Sequence, residues 1–575
     1  MCAATGRAPE PDPRPTQASM AAAQTPLQPA QASRRAYALL FAALLLAVIA
    51  ARVRLLGVPL ERDEGEFAYQ GLLLLKGHAP FDGLYTMKLP GVGLLYALLI
   101  LVFGRSAQAI HLGLLLCNLV CVGLVWRLGR RLLGAETGLA AAAAYALLSV
   151  SQGVLGVFAH ATQFVVLFSL AALLLLLRLR DGEGGLRTAA AAGFCFGLAV
   201  LMKQHAALLA AFGLVAAAAF GARTRRALAT AAAFAGGSAI PVLAVAAWCA
   251  AAGTGPRAWL WCVEYARRYV SLIGPREGIA RFLAYTPQVA AFEAPLWVAA
   301  GVGLVLLAAR RARPTARPFL LGLLVASLAA LSPGFYFRAH YFVLLLPVVA
   351  LLAAFAVTET GVLVSSRAPD SRLSRALAPT LLGLLLIWGL VRETGYLFVV
   401  PPTEVSRQIY WPNPFPESAL VAEYLRTHSG PDDEIAVLGS EPEIFFYADR
   451  RSATGYIYMY GLMEPQPFAA SMQADMMREI EAAKPLFLVL VNMETSWGVR
   501  RDSIQDVLHW APDYAARHYQ LEGLVEVRLD GSRAYWGRDA AREPQSAHYI
   551  TVWRRDANAS PHPAPAPHVG DRGRS

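Results

Sequence analysis

Long apolar runs recur between Ala36 and Phe398, and short polar clusters separate them. A helix that crosses a bilayer needs about twenty apolar residues. Eleven segments read as spans on this basis: 36–51, 107–126, 136–156, 161–177, two short ones within 188–222, 227–252, 293–309, 318–332, 342–357 and 377–398. Arginines collect at alternate ends of these runs, at Arg34–Arg35, Arg127 to Arg131, Arg178 to Arg187, Arg223 to Arg226, Arg310 to Arg317 and Arg367 to Arg375. Such clusters mark cytoplasmic loops. The N-terminus is then cytoplasmic, and an odd number of spans places the C-terminus outside. A signal peptide cleaved near Ala47–Ala50 is the competing reading of the first run; the many spans that follow favour an uncleaved helix. Lys203-Gln204-His205 interrupts the 188–222 run. A charge at mid-membrane costs about 2.5–3.5 kcal/mol, so the interruption reads as an outer turn between two short spans.

Two stretches break the pattern. Residues 92–103 are apolar but too short to span, which predicts a helix at the outer membrane face. Residues 253–291 form a longer outer segment whose aromatics, Trp259, Trp261, Tyr265 and Tyr269, suit the interface. Its five arginines (257, 267, 268, 276 and 281) run against the charge rule.

Beyond Pro401-Pro402 the pattern changes. Amphipathic helical stretches at 417–428, 443–447 and 472–483 alternate with apolar strands at 434–439, 485–491 and 549–553. This alternation predicts a small α/β domain with a mainly parallel sheet. The expected organisation is a disordered segment over 1–33, a membrane domain over 34–398 with an outer catalytic loop at 57–106, an extracytoplasmic α/β domain over 399–556 and a disordered tail over 557–575. The fold class is a polytopic α-helical membrane protein with a small C-terminal α/β domain.

Composition agrees. Charged residues make up 16% of the chain, against roughly 25% in soluble domains. The formal charge of +11 lies in loop arginines, so it is a topology signal and excludes nucleic acid as a partner. None of the six cysteines lies in the last third of the chain, so the exported domain must hold together without disulfides. Cys117 and Cys121 would share a helix face but lack further metal ligands nearby.

The chemistry collects at one side. Asp63, Glu64 and Glu66 follow the first span within four positions, and Lys88 stands in a Lys-x-Pro turn. His160 and Gln163, then Lys203, Gln204 and His205, then Arg338, His340 and Tyr341, fall at outer ends of spans in the same topology. Lys88, Lys203 and Arg338 suit a phosphate. Asp63 or Glu64 can take a proton from a hydroxyl nucleophile, and the two carboxylates also suit a divalent cation. Glu66, His205, His340 and Tyr341 complete the expected substrate-binding set.

The run Arg62-Asp63-Glu64-Gly65-Glu66-Phe67-Ala68-Tyr69, followed by Met87-Lys88-Leu89-Pro90 and Phe103-Gly104, resembles the first outer loop of the glycosyltransferase C superfamily. Within it, the nearest named groups are the dolichyl-phosphate-mannose protein mannosyltransferases and the bacterial lipid A aminoarabinose transferases. Leu201-Met202-Lys203-Gln204 resembles their Leu-Thr-Lys segment, and His340-Tyr341 with Leu344-Leu345-Leu346-Pro347 resembles a late-span segment. The resemblance covers most of residues 36–398. It departs at Lys-Leu-Pro, where the family has Lys-Pro-Pro, and at Gln163, where an acid is common.

The resemblance implies a transferase that takes a sugar from a polyprenyl phosphate on the outer face with inversion at the anomeric carbon. On that carry-over Asp63 is the base and Lys88 contacts the donor phosphate. No cofactor is required; a divalent metal is the one candidate. The expected partners are the lipid-linked donor, a protein, lipid or polysaccharide acceptor, and the bilayer of a bacterial inner membrane. The alternative is a transporter or flippase for a lipid-linked or anionic substrate, which predicts mid-membrane polar residues and inverted repeats. The sequence shows neither. A non-catalytic assembly protein is a third reading, against which Asp63 and Lys88 weigh.

Overall fold

A computed structural model describes residues 28–223, 225–309, 316–368 and 371–555. Residues 1–27 of the N-terminal segment expected to be disordered, the C-terminal tail, and Arg310, Arg311 and Arg313 lie outside the described residues. Residues 28–33, expected in the N-terminal disordered segment, instead begin the first helix.

Each of the eleven expected spans contains a helix, although the one expected over 136–156 stops at Leu148. The helices are α1 (Gln28–Arg54) and, after α2 (Arg62–Leu75) and α3 (Gly91–Phe103), α4 (Ala107–Leu133), α5 (Ala135–Leu148), α6 (Ala161–Arg180), α7 (Leu186–Met202), α8 (Ala206–Ala222) and α9 (Ala227–Ala251). After α10 (Pro275–Ala290) come α11 (Ala294–Ala309), α12 (Ala316–Leu331), α13 (Leu346–Arg367) and α14 (Arg372–Arg392). Among the described residues six helices are long and apolar enough to cross a membrane alone, or seven if the bent pair α10–α11 is counted as one. The chain is a multi-pass membrane protein. Local chemistry sets the helix ends. The Ser106 side chain caps α4 by accepting from the Ala109 amide, Arg130 and Arg131 occupy its last turn, and Gly134 at φ 112° ends it.

Helix packing explains some of the glycines. A Cβ on Gly193 of α7 would lie 1.9 Å from the Phe234 carbonyl oxygen of α9, and one on Gly237 of α9 would lie 2.0 Å from that of Ala190. Only hydrogens fit there, so the two backbones meet directly, as small residues permit between membrane helices.

The C-terminal domain carries α15 (Phe415–Thr427), α16 (Glu443–Ala448), α17 (Ala469–Ala483) and α18 (Asp506–His518) around six strands: β1 (Glu434–Leu438), β2 (Arg451–Ser452), β3 (Phe487–Asn492), β4 (Tyr519–Glu526), β5 (Arg533–Trp536) and β6 (Tyr549–Arg555). The sheet order is β2-β1-β3-β6-β4-β5. The mainly parallel sheet expected from the sequence is corrected here. Only β1 pairs in parallel, with β2 and β3, while β3–β6, β6–β4 and β4–β5 are antiparallel. The expected strands β3 and β6 already run antiparallel, and the unforeseen strands β4 and β5 extend that antiparallel half. β4 reads Tyr-Gln-Leu-Glu-Gly-Leu-Val-Glu, with a glycine and two acids that hide its strand character, and it carries a register shift between Leu521 and Gly523.

The domain docks on α2. A Cβ on Gly65 would lie 2.5 Å from the Glu443 backbone nitrogen, so α2 and α16 touch at backbone distance. Arg62, buried at this junction, donates to the Ser440 carbonyl at 2.5 Å, Tyr460 Oη at 2.8 Å, Asn413 Oδ1 at 2.9 Å and Glu441 Oε1 at 3.2 Å.

Candidate active site

The acid-rich stretch starts a helix because it caps itself. Glu61 Oε1 accepts from the Glu64 amide at 2.9 Å, and Glu64 Oε2 accepts from the Glu61 amide at 3.1 Å. This reciprocal box fixes the first turn of α2. Asp63 sits in that turn, where the helix dipole favours a carboxylate.

Asp63 and Glu66 share one cation. Lys88 Nζ lies 2.7 Å from Asp63 Oδ1 and 2.6 Å from Glu66 Oε2, and Thr86 donates to the other Glu66 oxygen at 2.5 Å. Burial alone would raise the Asp63 carboxyl. The Lys88 ammonium, together with His340, His160 and Arg338, outweighs it and holds the group well below the usual carboxylate range. Burial would lower Lys88, but the two carboxylates push it up.

Glu64 does not join them. Its carboxylate is fully buried; it sits 3.0 Å from His111 Nε2 and accepts from the Ala159 amide at 2.5 Å. The expectation that Glu64 shares catalysis or a metal with Asp63 is corrected. Consecutive helical residues point about 100° apart, so Asp63 faces the cavity and Glu64 faces the bundle.

The other expected residues converge. Asp63, Glu66, Lys88, Lys203, His205, Arg338, His340 and Tyr341 all line one cavity of about 520 Å³. Gln204 helps to assemble it by donating to the Met87 carbonyl at 2.7 Å. His205 Nδ1 donates to the Ala330 carbonyl at 2.8 Å, so its ring is tied to α12. Among the described residues neither Lys203 nor Arg338 pairs with a carboxylate. Each lies over a ring instead, Lys203 Nζ 4.1 Å from the Tyr341 centroid and Arg338 Cζ 5.5 Å from that of Tyr336. Burial pushes Lys203 down to about 7. The remaining wall is aromatic and apolar, with Tyr85, Trp261, Tyr265 and Tyr269.

A second cavity, of about 920 Å³, meets the first at Asp63, Arg338, His340, Tyr458 and Tyr460. Its own walls are more polar and include Gln152, Arg281, Gln288, Gln408 and Arg500. Asp63 therefore borders both spaces. Tyr458 and Tyr460 come from the C-terminal domain and carried no sequence signal, because one tyrosine in a soluble domain looks like any other. Tyr458 lies against Lys88, with Nζ 5.1 Å from its ring centroid.

The donor set for a cation also differs from expectation. Asp63, His160 and His340 bring one ligand atom each within 4.8 Å of one another. The His160 and His340 rings stack at 4.0 Å. Both buried nitrogens of His160 lack a hydrogen bond, with Glu61 Oε1 3.4 Å from Nδ1. Burial pushes His160 down to about 4, so the ring is neutral. A carboxylate with two neutral imidazoles suits a divalent transition ion, and these residues fit one.

The family model described as dolichyl-phosphate-mannose-protein mannosyltransferase matches residues 87–250. That stretch holds Lys88, His160, Lys203 and His205 but not Asp63. No curated protein matches the chain by sequence. Among solved structures, ArnT from Cupriavidus metallidurans bound to undecaprenyl phosphate superposes with a TM-score of 0.60 at 14% identity, covering 92% of this chain and 99% of that one. The chain shares the fold of that ArnT structure. The archaeal oligosaccharyltransferase AglB from Archaeoglobus fulgidus, in complex with an inhibitory peptide and a dolichol-phosphate, is similar at a TM-score of 0.50 and 14% identity, over 87% of this chain and 74% of that one. The likeness to ArnT spans the membrane helices and the C-terminal domain alike, since it covers nearly the whole of both chains.

Proposed function

We propose that this protein is a membrane glycosyltransferase that moves a sugar from a polyprenyl phosphate to an acceptor hydroxyl on the extracytoplasmic face, with Asp63 as general base. One observation carries the reading: Lys203 and Arg338 stand without carboxylate partners in an aromatic cavity, and Asp63 separates that cavity from a second one. Two cations held in a partly apolar space lack an anion, and a phosphate on a lipid tail supplies one. The ArnT and AglB structures contain undecaprenyl phosphate and dolichol-phosphate respectively, which supports a donor of that class.

The donor phosphate occupies the first cavity between Lys203 and Arg338 and draws Lys88 toward itself. Asp63, relieved of part of its ion pair, regains basicity. The acceptor hydroxyl approaches from the second cavity and gives its proton to Asp63. Its oxygen bonds to the anomeric carbon on the face opposite the phosphate. The bond from that carbon to the phosphate oxygen breaks, and the polyprenyl phosphate leaves with the electron pair. The sugar is transferred with inversion. Glu66 keeps Lys88 in place, and His205 and Tyr341 shape the wall beside Lys203. A divalent ion bound by Asp63, His160 and His340 would supply positive charge to the leaving phosphate.

The test is transfer from a panel of radiolabelled polyprenyl-phosphate sugars in proteoliposomes, with wild type and Asp63→Asn, each with and without chelator. Release of polyprenyl phosphate by wild type, reduced at least about 10²-fold in the variant, is expected. Full turnover by folded Asp63→Asn removes the base assignment. No release from any donor favours the transporter reading. Loss of activity in chelator with recovery on adding metal places an ion in the reaction.

A further inference from the structure

We propose that residues 253–291 form a surface that binds anionic lipid headgroups and so holds one wall of each cavity at the membrane surface. The first observation is geometric. α10 is bent by 116° from α11, which is apolar enough to belong to the spanning bundle. A helix turned that far from a span lies across the bundle rather than through it. Its two sides differ. Ile279 and Leu283, one turn apart, are 63% and 65% exposed, while Gly278 and Val289 are buried. Gly278 packs on Phe335, where an added Cβ would come within 2.7 Å of the ring. A helix with one packed side and one exposed apolar side in this orientation is an interfacial helix.

The second observation is charge. Residues 253–291 hold five arginines and two glutamates. Both glutamates are engaged: Glu264 accepts from Trp259 Nε1 at 2.9 Å, and Glu277 holds Arg281 at 2.7 Å. Arg267, Arg268 and Arg276 are exposed and, among the described residues, have no carboxylate partner. Exposed Trp259, Val263 and Val270 lie between the arginines in sequence, and Val263, Arg267 and Val270 stand at the edge where this surface meets the first cavity. Apolar side chains interleaved with free guanidinium groups match the headgroup layer of an anionic leaflet. The apolar groups enter the acyl boundary while each guanidinium takes a phosphate. A neutral leaflet leaves the charges unmatched. This also gives a reason for arginines on a segment where the charge rule disfavours them.

The consequence reaches both cavities. Trp261, Tyr265 and Tyr269 line the first, and Arg281 and Tyr285 line the second. Lipid bound along the segment steadies both walls.

The test needs neither the transferase reading nor a known orientation, because both leaflets of a nanodisc share one composition. The full chain is placed in phosphatidylcholine nanodiscs that contain either brominated phosphatidylglycerol or brominated phosphatidylcholine, and tryptophan emission is followed. Brominated phosphatidylglycerol is expected to quench at the lower mole fraction. The preference should shrink in Trp259→Phe and at high salt. Each of Arg267→Gln, Arg268→Gln and Arg276→Gln should weaken it about fivefold, and all three together about 100-fold, as expected of basic side chains near an anionic surface. Replacement of the same three by lysine should keep most of it. Equal quenching by the two lipids, or a preference unchanged in the three single glutamine variants, overturns the proposal.

Discussion

Arg62→Met should loosen the C-terminal domain from α2. The guanidinium is 9% exposed and Glu441 is 0% exposed. Removing Arg62 leaves the Glu441 carboxylate buried, with Ser496 Oγ at 2.6 Å as its remaining partner. Breaking a buried pair from one side costs about 3–5 kcal/mol, chiefly for the stranded charge. For a domain of this size that corresponds to a drop in thermal midpoint of about 6–20 °C. The same junction positions Asp63, the next residue on α2, so transfer should fall together with stability. The double variant Arg62→Met, Glu441→Gln removes the stranded charge. It should recover about 1–3 kcal/mol of the single-variant loss, a coupling of the size seen between contacting residues. The assay is thermal unfolding in detergent with tryptophan emission, beside transfer activity, on wild type, both singles and the double. A midpoint shift under about 2 °C for Arg62→Met, or strictly additive losses in the double, would refute a buried pair that ties the domain to the helix.

Two further outcomes follow from buried titratable groups. Lys203 is charged below about 7 and neutral above, so polyprenyl phosphate should bind more weakly as pH rises through that value, whereas Lys203→Arg should bind evenly across it. The sign for stability is opposite: the unfolded lysine stays protonated to about 10.4, so stability from this group rises with pH between the two values. A pH-independent affinity in wild type would remove Lys203 from phosphate binding. Away from the site, Ser151 Oγ lies 2.7 Å from Glu293 Oε2 and 2.8 Å from Glu393 Oε1. One hydroxyl hydrogen cannot serve both carboxylates, and two buried carboxylates on one hydroxyl cannot both be ionised, so the folded pair holds a shared proton. The unfolded chain releases that proton near about 4.3, so stability should fall as pH rises above it. Glu293→Gln, which mimics the protonated acid, should flatten the fall in thermal midpoint with pH; an unchanged slope would sink the shared-proton account.

Hydropathy and arginine placement, by themselves, determined that the chain is a bundle of membrane helices with a soluble domain after it. Each of the eleven expected spans contains a helix, because apolar length and loop charge are local properties written along the chain, but only six or seven are long enough to cross alone. The sequence also selected the residues that meet in one cavity, from Asp63 to Tyr341, since a polar group at a span end is conspicuous against so apolar a background. What it could not supply is direction. Whether Asp63 or Glu64 faces the cavity depends on the rotation of α2, which the Glu61–Glu64 box and the packing of Gly65 against Glu443 set. That His160 and His340 stack beside Asp63 depends on the crossing of loops 180 residues apart. Tyr458, Tyr460 and the Glu441 partner of Arg62 come from the docked domain, and its sheet is mixed because β6 returns from the chain's end to pair antiparallel with β3. Spans arise from the local free energy of apolar burial, and tertiary structure alone decides which faces are left to meet.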